Sequence, residues 1–568
     1  MELICGQPTP APPLPHHFLK NQIAINNNIM KYLKFWVKVR TLLFLWGILF
    51  PRFVHAQPGS PDPTFGGGDG YSLSSFLANG HATPNAVAVQ SDGRIVVAGS
   101  TWIPNVTNSN QIAIARFMPN GNPDPTFSGD GKASLGLANM DIDAADLMIL
   151  PDGKMLCIGS AWNSTENFFL LARLNTDGTL DHNFDGDGIV TLQIVSSFKG
   201  AGTVALQPDG KMVAAGYANL TGYEEFALIR IKPDGTLDNS FGGGDGIVTI
   251  PVGESYAGAE DVLIQPDGKI VAAGYAVANG YEDFALIRLN TNGILDQGFG
   301  GGDGIVIASF TNKNDVATSV ALQSDGKIVL AGYAETIGGT ADVEMAVVRF
   351  NPNGTPDNSF SGDGFAMIHV TENPDAARAI RIQQDGKMLL GGYSQQVEPG
   401  GEQYHFTMVR LTANGLPDPA FGSGDGIAIL PISINGDFIY AMALQPDGKA
   451  VAAGPARIGE YKSFAVARFL TGVTVDTKSP EIFLSNISLF PNPVCEQATL
   501  QYELKTKERI TVNLFDVQGK FIKNILPPTE KNAGNHLETL LFDSLTPAGH
   551  YFLSIESENA ITVIEAIL

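Results

Sequence analysis

The chain has 568 residues, of which 44% are hydrophobic and 16% charged, enough apolar material for a large core and a second domain. A formal net charge of −23 argues against binding to a phosphate backbone, which needs clustered Lys and Arg, and fits a soluble acidic surface. Three cysteines, Cys5, Cys157 and Cys495, lie too far apart in text and context to form a disulfide framework.

Residues 1–29 are polar and proline-bearing, without a targeting pattern, and read as an extension upstream of a start at Met30. Residues 30–56 read as a signal peptide. Lys31, Lys34, Lys38 and Arg40 form a basic stretch, Thr41 to Phe50 an apolar one, and Val54-His55-Ala56 a cleavage site. An apolar run of about ten residues is too short to span a bilayer. The mature chain is therefore expected to be exported without a membrane span.

From residue 58 to 470 one unit recurs seven times with a period of about 60 residues; Leu263 to Ile307 is a clear copy. An Asp-Gly turn recurs at Asp92, Asp152, Asp209, Asp267, Asp325, Asp385 and Asp447. Each unit predicts four strands, exemplified by DVLIQ, KIVAAGYA, FALIRLN and GIVI. These are short runs of β-branched and small residues bounded by Gly, Pro, Asn and Asp. Sheets that are apolar on both faces bury them by stacking around an axis, so a seven-bladed propeller of four-stranded blades is expected. The chain enters at the end of a unit and leaves one strand short of completing one. The strand Tyr71 to Phe76 is thus expected to fill the gap in the last blade.

Two charged columns run through the repeats: Arg116, Arg173, Arg230, Arg288, Arg349, Arg410 and Arg468, and Asp62, Asp124, Asp181, Asp238, Asp296, Asp357 and Asp418. Strand parity turns the arginines toward a blade-to-blade face, where bidentate pairing with the aspartates is expected; seven identical copies suit a scaffold better than a single active site. An aromatic column at Phe65, Phe127, Phe184, Phe241, Phe299, Phe360 and Phe421 precedes glycine-rich turns. Their aspartates, Asp69, Asp130, Asp187, Asp245, Asp303, Asp363 and Asp425, offer calcium a few oxygen ligands, but turn geometry alone accounts for Gly-Asp-Gly, and no cofactor is expected.

The most variable text lies between the second and third strands, at one rim of the ring. Trp102, Trp162, Tyr223, Tyr281, Tyr404 and Tyr461 sit there as candidate binding residues, stacking on a sugar or protein partner or capping their own hairpins. His81, His182, His369, His405, His536 and His550 are scattered singly. No phosphate loop, HExxH, CxxC or GxSxG motif appears.

At its PDG, FGGGDG and GIV columns the repeat resembles the delta-60 repeat family, a bacterial repeat taken to be propeller-like. After a linker at 471–485, residues 486–568 alternate like the strands of a small Ig-like antiparallel sandwich. This segment resembles the type A C-terminal sorting domain of the bacterial type IX secretion system at Leu489-Phe490-Pro491-Asn492-Pro493, Asp516-Val517-Gln518-Gly519-Lys520 and Leu545-Thr546-Pro547-Ala548-Gly549-His550-Tyr551. The resemblance implies a partner, the type IX machinery, with Asn492, Pro493, Gly549 and Tyr551 serving folding and recognition. It also implies delivery to the cell surface or beyond.

Three functions remain open to the sequence. They are a binding or adhesion scaffold for a glycan or surface protein, a secreted polysaccharide hydrolase or lyase with carboxylates at the propeller mouth, and a purely structural surface protein.

Overall fold

In the computed structural model, residues 57–568 are described except 108, 194–197, 220–221, 337–342, 399–400, 435, 473–483, 491–496, 505–506, 517–520, 543–549, 557–560 and 568. The expected upstream extension and signal peptide lie outside the described residues.

Seven antiparallel sheets precede the C-terminal domain among the described residues, numbered here as blades one to seven in chain order. Blade four is typical: Ala257–Ile264, Ile270–Ala278, Tyr281–Leu289 and Ile305–Ala308 pair in sequence order. Up-and-down order places the PDG turn and the glycine-rich loop at one end of every blade. The variable hairpin and the crossing to the next blade lie at the other.

Both faces of each sheet are apolar, and neighbouring blades meet through continuous clusters. One joins Val213, Ala215 and Leu228 of blade three to Ala272, Ala285 and Ile287 of blade four. Fully burying such a Val, Leu or Ile is worth about 1.5–3 kcal/mol. A further cluster joins blade one to blade seven through Ile95, Val97, Ala113, Val451, Phe464 and Val466. The first and last blades are therefore neighbours.

The strand Tyr71–Ser74, two residues shorter than expected, is the outer strand of blade seven, with Tyr71 opposite Ala467 and Ser74 opposite Phe464. It gives blade seven the same four strands as its neighbours and pairs the edge of Tyr461–Phe469 where the two ends of the ring meet.

The innermost strand of a blade carries a β-bulge. In blade four the register slips between Ala259 and Asp261, leaving Glu260 unpaired. The slip lifts the Gly258 carbonyl against strand two, where a Cβ on Gly274 would stand 1.9 Å from that oxygen. Only glycine fits, which explains the Gly of KIVAAGYA. In blade two the bulge is wide enough to split the inner strand into Asp141–Ile142 and Asp146–Ile149, so that sheet has five strands rather than the expected four.

The C-terminal domain is a sandwich. Leu484–Phe490, Gln497–Leu504 and Gly534–Leu541 form one sheet, and Glu508–Asp516, Phe521–Lys531, His550–Glu556 and Ile561–Ile567 the other. Alternation explains the fold, since Ala498, Leu500, Tyr502 and Leu504 turn inward and meet Ile510, Val512, Leu514, Leu553 and Ile555. No helix among the described residues is long and apolar enough to cross a membrane.

Candidate functional site

At the PDG end the repeated charges are consumed between blades. Each column arginine sets Nε 2.7–2.8 Å from an aspartate Oδ2, from Arg116–Asp124 round to Arg468–Asp62. In six blades this is a hydrogen bond. In blade six Arg410 and Asp418 make the same ion-pair contact without an aligned N–H.

The expected bidentate geometry does not form. The other carboxylate oxygen is taken by the turn two residues on, as when Thr126 N and Oγ1 donate to Asp124 Oδ1 at 3.0 and 2.7 Å. The guanidinium then spreads its remaining donors: Arg116 Nη2 donates to Thr126 Oγ1, and Nη1 to the carbonyl of Thr176 in the next blade. Every blade repeats this last bond, Arg230 to Thr291, Arg288 to Pro352 and Arg468 to Pro119 among them.

Each guanidinium also lies 4.3–4.8 Å from the ring centre of a column phenylalanine, such as Phe241 under Arg230. A basic residue of the PDG turn completes the unit: Lys154 Nζ is 2.9 Å from Asp181 Oδ2, and Lys387 Nζ 3.0 Å from Asp418 Oδ2. This lysine column is plain in the repeated PDGK text and was the partner sequence reasoning missed. Lys154 first, with Asn183 and Arg173, holds Asp181 down at about 2 against burial. Asp238 and Asp357 also sit at about 2, where burial is outweighed by Ser240 or Ser359 and by the flanking cations.

The glycine-rich loops close on themselves. Asp245 Oδ1 accepts from Ile247 N at 3.0 Å, and Asp130, Asp187, Asp303, Asp363 and Asp425 do the same two residues on. Among the described residues no three of His, Cys, Asp and Glu gather as a metal site would need.

The six rim aromatics do not converge. Trp102 and Tyr461 meet only through His81, at 5.2 and 5.5 Å between ring centres, across the junction of blades one and seven. Tyr404 stacks on Phe438 at 4.9 Å and meets Tyr393 at 5.3 Å. Trp162 is half-buried where Asp141 and Asn167 pair with it. Tyr223 and Tyr281 are the exposed members, at 49% and 41%, Tyr223 edge-on to the equally exposed Tyr256.

A second constellation lies at the ring axis, in a cavity of about 170 Å³ lined by residues of all seven blades. The bulges build it, since an unpaired bulge residue is re-aimed away from its own sheet. The positions are Asn85, Ala145, Gly202, Glu260, Thr318, Arg378 and Tyr440, no two alike. Each lies fourteen residues before the strand-two glycine, as Glu260 before Gly274 and Arg378 before Gly392, and that offset was the available signal.

Next to this ring, side chains staple blades together. Asp261 Oδ1 accepts from Val262 N and Thr203 Oγ1, and Oδ2 from Ser319 Oγ and Val320 N, all at 2.9–3.2 Å. Asp146 accepts from Leu147 N and Val204 N, and burial pushes it up to about 6.

Among the described residues Glu260 has no such donors. Desolvation by the surrounding axial strands raises its pKa although the residue keeps exposed surface, with Arg378 opposing and Asp261 and Glu282 adding to the rise. Arg378 lies 5.7 Å from the Tyr333 ring centre and 5.9 Å from that of Tyr393, and its buried Nε donates to nothing. Tyr275 reaches over Gly258, the missing side chain giving it room, and its phenol is raised by burial and by Glu260, Glu224 and Glu282.

Of the sorting residues named from sequence, Tyr551 is buried in the sandwich core, 7% exposed. Asn492, Pro493 and Gly549 lie outside the described residues.

A ring of antiparallel sheets with inter-blade staples, followed by a β-sandwich, defines a β-propeller protein with a terminal accessory domain. The family described as "Domain of unknown function (DUF5122) beta-propeller" matches residues 90–127, 150–184, 207–241, 265–299, 323–360 and 383–421, and "Secretion system C-terminal sorting domain" matches 488–568. Six stretches are thus matched by the propeller-repeat model and residues 488–568 by the sorting-domain model, and a type IX sorting domain indicates secretion to the cell surface.

No curated protein matches the chain. Among solved structures it is similar to Sqt1 from Chaetomium thermophilum, at 10% identity over 69% of this chain and 96% of that one, TM-score 0.37. The PQQ-bound aldose sugar dehydrogenase from Streptomyces coelicolor is 14% identical over 59% and 95%, TM-score 0.33. Likenesses this weak carry neither fold nor function.

Proposed function

We propose that the exported propeller is a binding module at the cell surface, engaging its ligand through the end that carries the variable hairpins and the axial mouth. One contrast supports this reading. The Arg, Asp, Lys and Phe columns repeat almost unchanged and are spent on joining blades, while the seven axial bulge residues all differ. A scaffold needs identical copies, whereas recognition of a single ligand needs an asymmetric surface. Exposed Tyr223, Tyr256 and Tyr281 add aromatic area beside the carboxylates Glu224 and Glu282.

Binding fits the axial carboxylates better than glycoside hydrolysis does. Paired-carboxylate chemistry needs two groups able to exchange protons or attack. Asp261 and Asp146 are already committed to backbone and hydroxyl donors of adjoining blades, which leaves Glu260 alone.

The test is a panel of polysaccharides and surface proteins presented to the mature chain and to Tyr223→Ala/Tyr281→Ala and Glu260→Gln variants. At least one ligand should be retained, with a variant weakening it about tenfold, the scale of one lost aromatic contact. Turnover of a polysaccharide abolished by one carboxylate substitution, or no retention at all, would overturn the reading.

A further inference from the structure

Glu260 and Arg378 rise from bulges on blades four and six, either side of Thr318 on blade five, into one cavity. They feel each other's charge but form no ion pair within 4.0 Å among the described residues. Glu260 is exposed at the cavity and Arg378 partly buried, so the two opposite charges line one space without satisfying each other and both stay open to a ligand that carries both signs.

The surroundings differ at the two poles. Around Arg378 stand the Tyr333 and Tyr393 rings, with Tyr440 in electrostatic reach, and its Nε proton points at no acceptor. Around Glu260 the neighbours are Tyr275 and Tyr217, with Glu282 adding negative potential. Aromatic faces beside carboxylates receive an ammonium group, and an open guanidinium edge receives a carboxylate.

We propose that the axial cavity binds a free amino acid as its zwitterion, the ammonium group at Glu260 and the carboxylate at Arg378. The assignment deepens the binding-module reading and rests on it. A cavity of about 170 Å³ admits one such molecule rather than a polymer chain. The protein's net charge of −23 disfavours a simple anion at long range but is indifferent to a neutral zwitterion. Asp146, Asp261 and Arg381 also line the cavity, the two aspartates already held by backbone and hydroxyl donors, while of the seven bulge positions Glu260 and Arg378 alone are charged.

The experiment uses the mature chain and calorimetric titration with the twenty amino acids, each best binder then compared with its N-acetyl derivative and its carboxamide. One or more amino acids should bind, and blocking either end should weaken binding at least tenfold. In Arg378→Gln the penalty for the carboxamide should disappear while the N-acetyl penalty stays; in Glu260→Gln the reverse should hold. Equal melting temperatures establish that both variants fold.

If no amino acid binds, if blocked forms bind equally well, or if neither variant shifts its own penalty, the axial assignment is wrong. Retention of a macromolecule in the panel above would then leave the binding module standing on its rim alone, and loss of both signals would overturn both.

Discussion

Arg468 and Asp62 stand 406 residues apart in the chain and 2.8 Å apart in space, Nε to Oδ2. The same arginine reaches the Pro119 carbonyl of blade one, so one side chain ties the closing segment, the last blade and the first. Both partners of the pair are buried, at 5% and 2% exposure.

Removing one partner leaves the other charged and dry, a loss of about 3–5 kcal/mol. Arg468→Ala or Asp62→Ala should lower the thermal midpoint, and the two losses should fall well short of adding in the double variant. Additive losses would mean that the pair does not act as a unit. Deleting residues 58–74 should go further, exposing the edge of Tyr461–Phe469 and driving association seen by size-exclusion chromatography.

Arg230→Lys keeps the charge but loses the fork that serves Asp238, Ser240 and the Thr291 carbonyl together. A cost of about 1–3 kcal/mol is expected, one or two net hydrogen bonds. Denaturant unfolding followed by tryptophan fluorescence measures it, and a Lys variant as stable as the parent would show the fork to be dispensable.

Stability should peak in mild acid. Burial pushes Asp146, Asp315 and Asp375 up to about 6 from 3.8, so their contribution is full below about 4 and is lost as pH rises through 6. Asp181, Asp238 and Asp357 are held at about 2, so theirs is full above about 4 and is lost as pH falls toward 2. The thermal midpoint should be higher at pH 5 than at pH 7.5 or pH 2. Asp315→Asn should flatten the change between pH 5 and 7.5 whatever its absolute midpoint. An unchanged slope would remove Asp315 from the account.

Cys157 lies in Met155–Trp162 with no exposed surface, and burial first, then Asp146, pushes its thiol up to about 12. Alkylation mapped by mass spectrometry should leave Cys157 unmodified in the native protein and label it fully in denaturant. Labelling under native conditions would indicate local opening of blade two.

Gly274→Ala places a methyl group 1.9 Å from the Gly258 carbonyl. The bulge must give way, at roughly 1–3 kcal/mol. Because the bulge aims Glu260, ligand affinity at the axis should fall by more than stability alone explains, read by titration well below the melting temperature.

Much of the architecture is legible from text because it is local and repeated. KIVAAGYA and FALIRLN announce strands, PDG and FGGGDG their turns, and the phase of Tyr71 places the closing strand. The Arg and Asp columns are equally visible, but their pairing mode is not. Bidentate contact fails because Thr126 and its counterparts claim one carboxylate oxygen, a competition settled by turn geometry in three dimensions. The rim aromatics stand out in the text by their place in the variable hairpins, but their partners do not: Trp102, Tyr404 and Tyr461 pack on rings from other strands.

By itself, then, the sequence determined that the protein is exported, that it is built from repeated four-stranded units, and that a sandwich at its end addresses it to the type IX machinery. Periodicity, turn chemistry and motif order are written in neighbouring residues. Only the tertiary structure decided that Glu260 and Arg378 share one cavity, each carried there by a bulge. They are 118 positions apart (378 − 260) in a column whose members have nothing in common, and curvature of the whole ring brings them together.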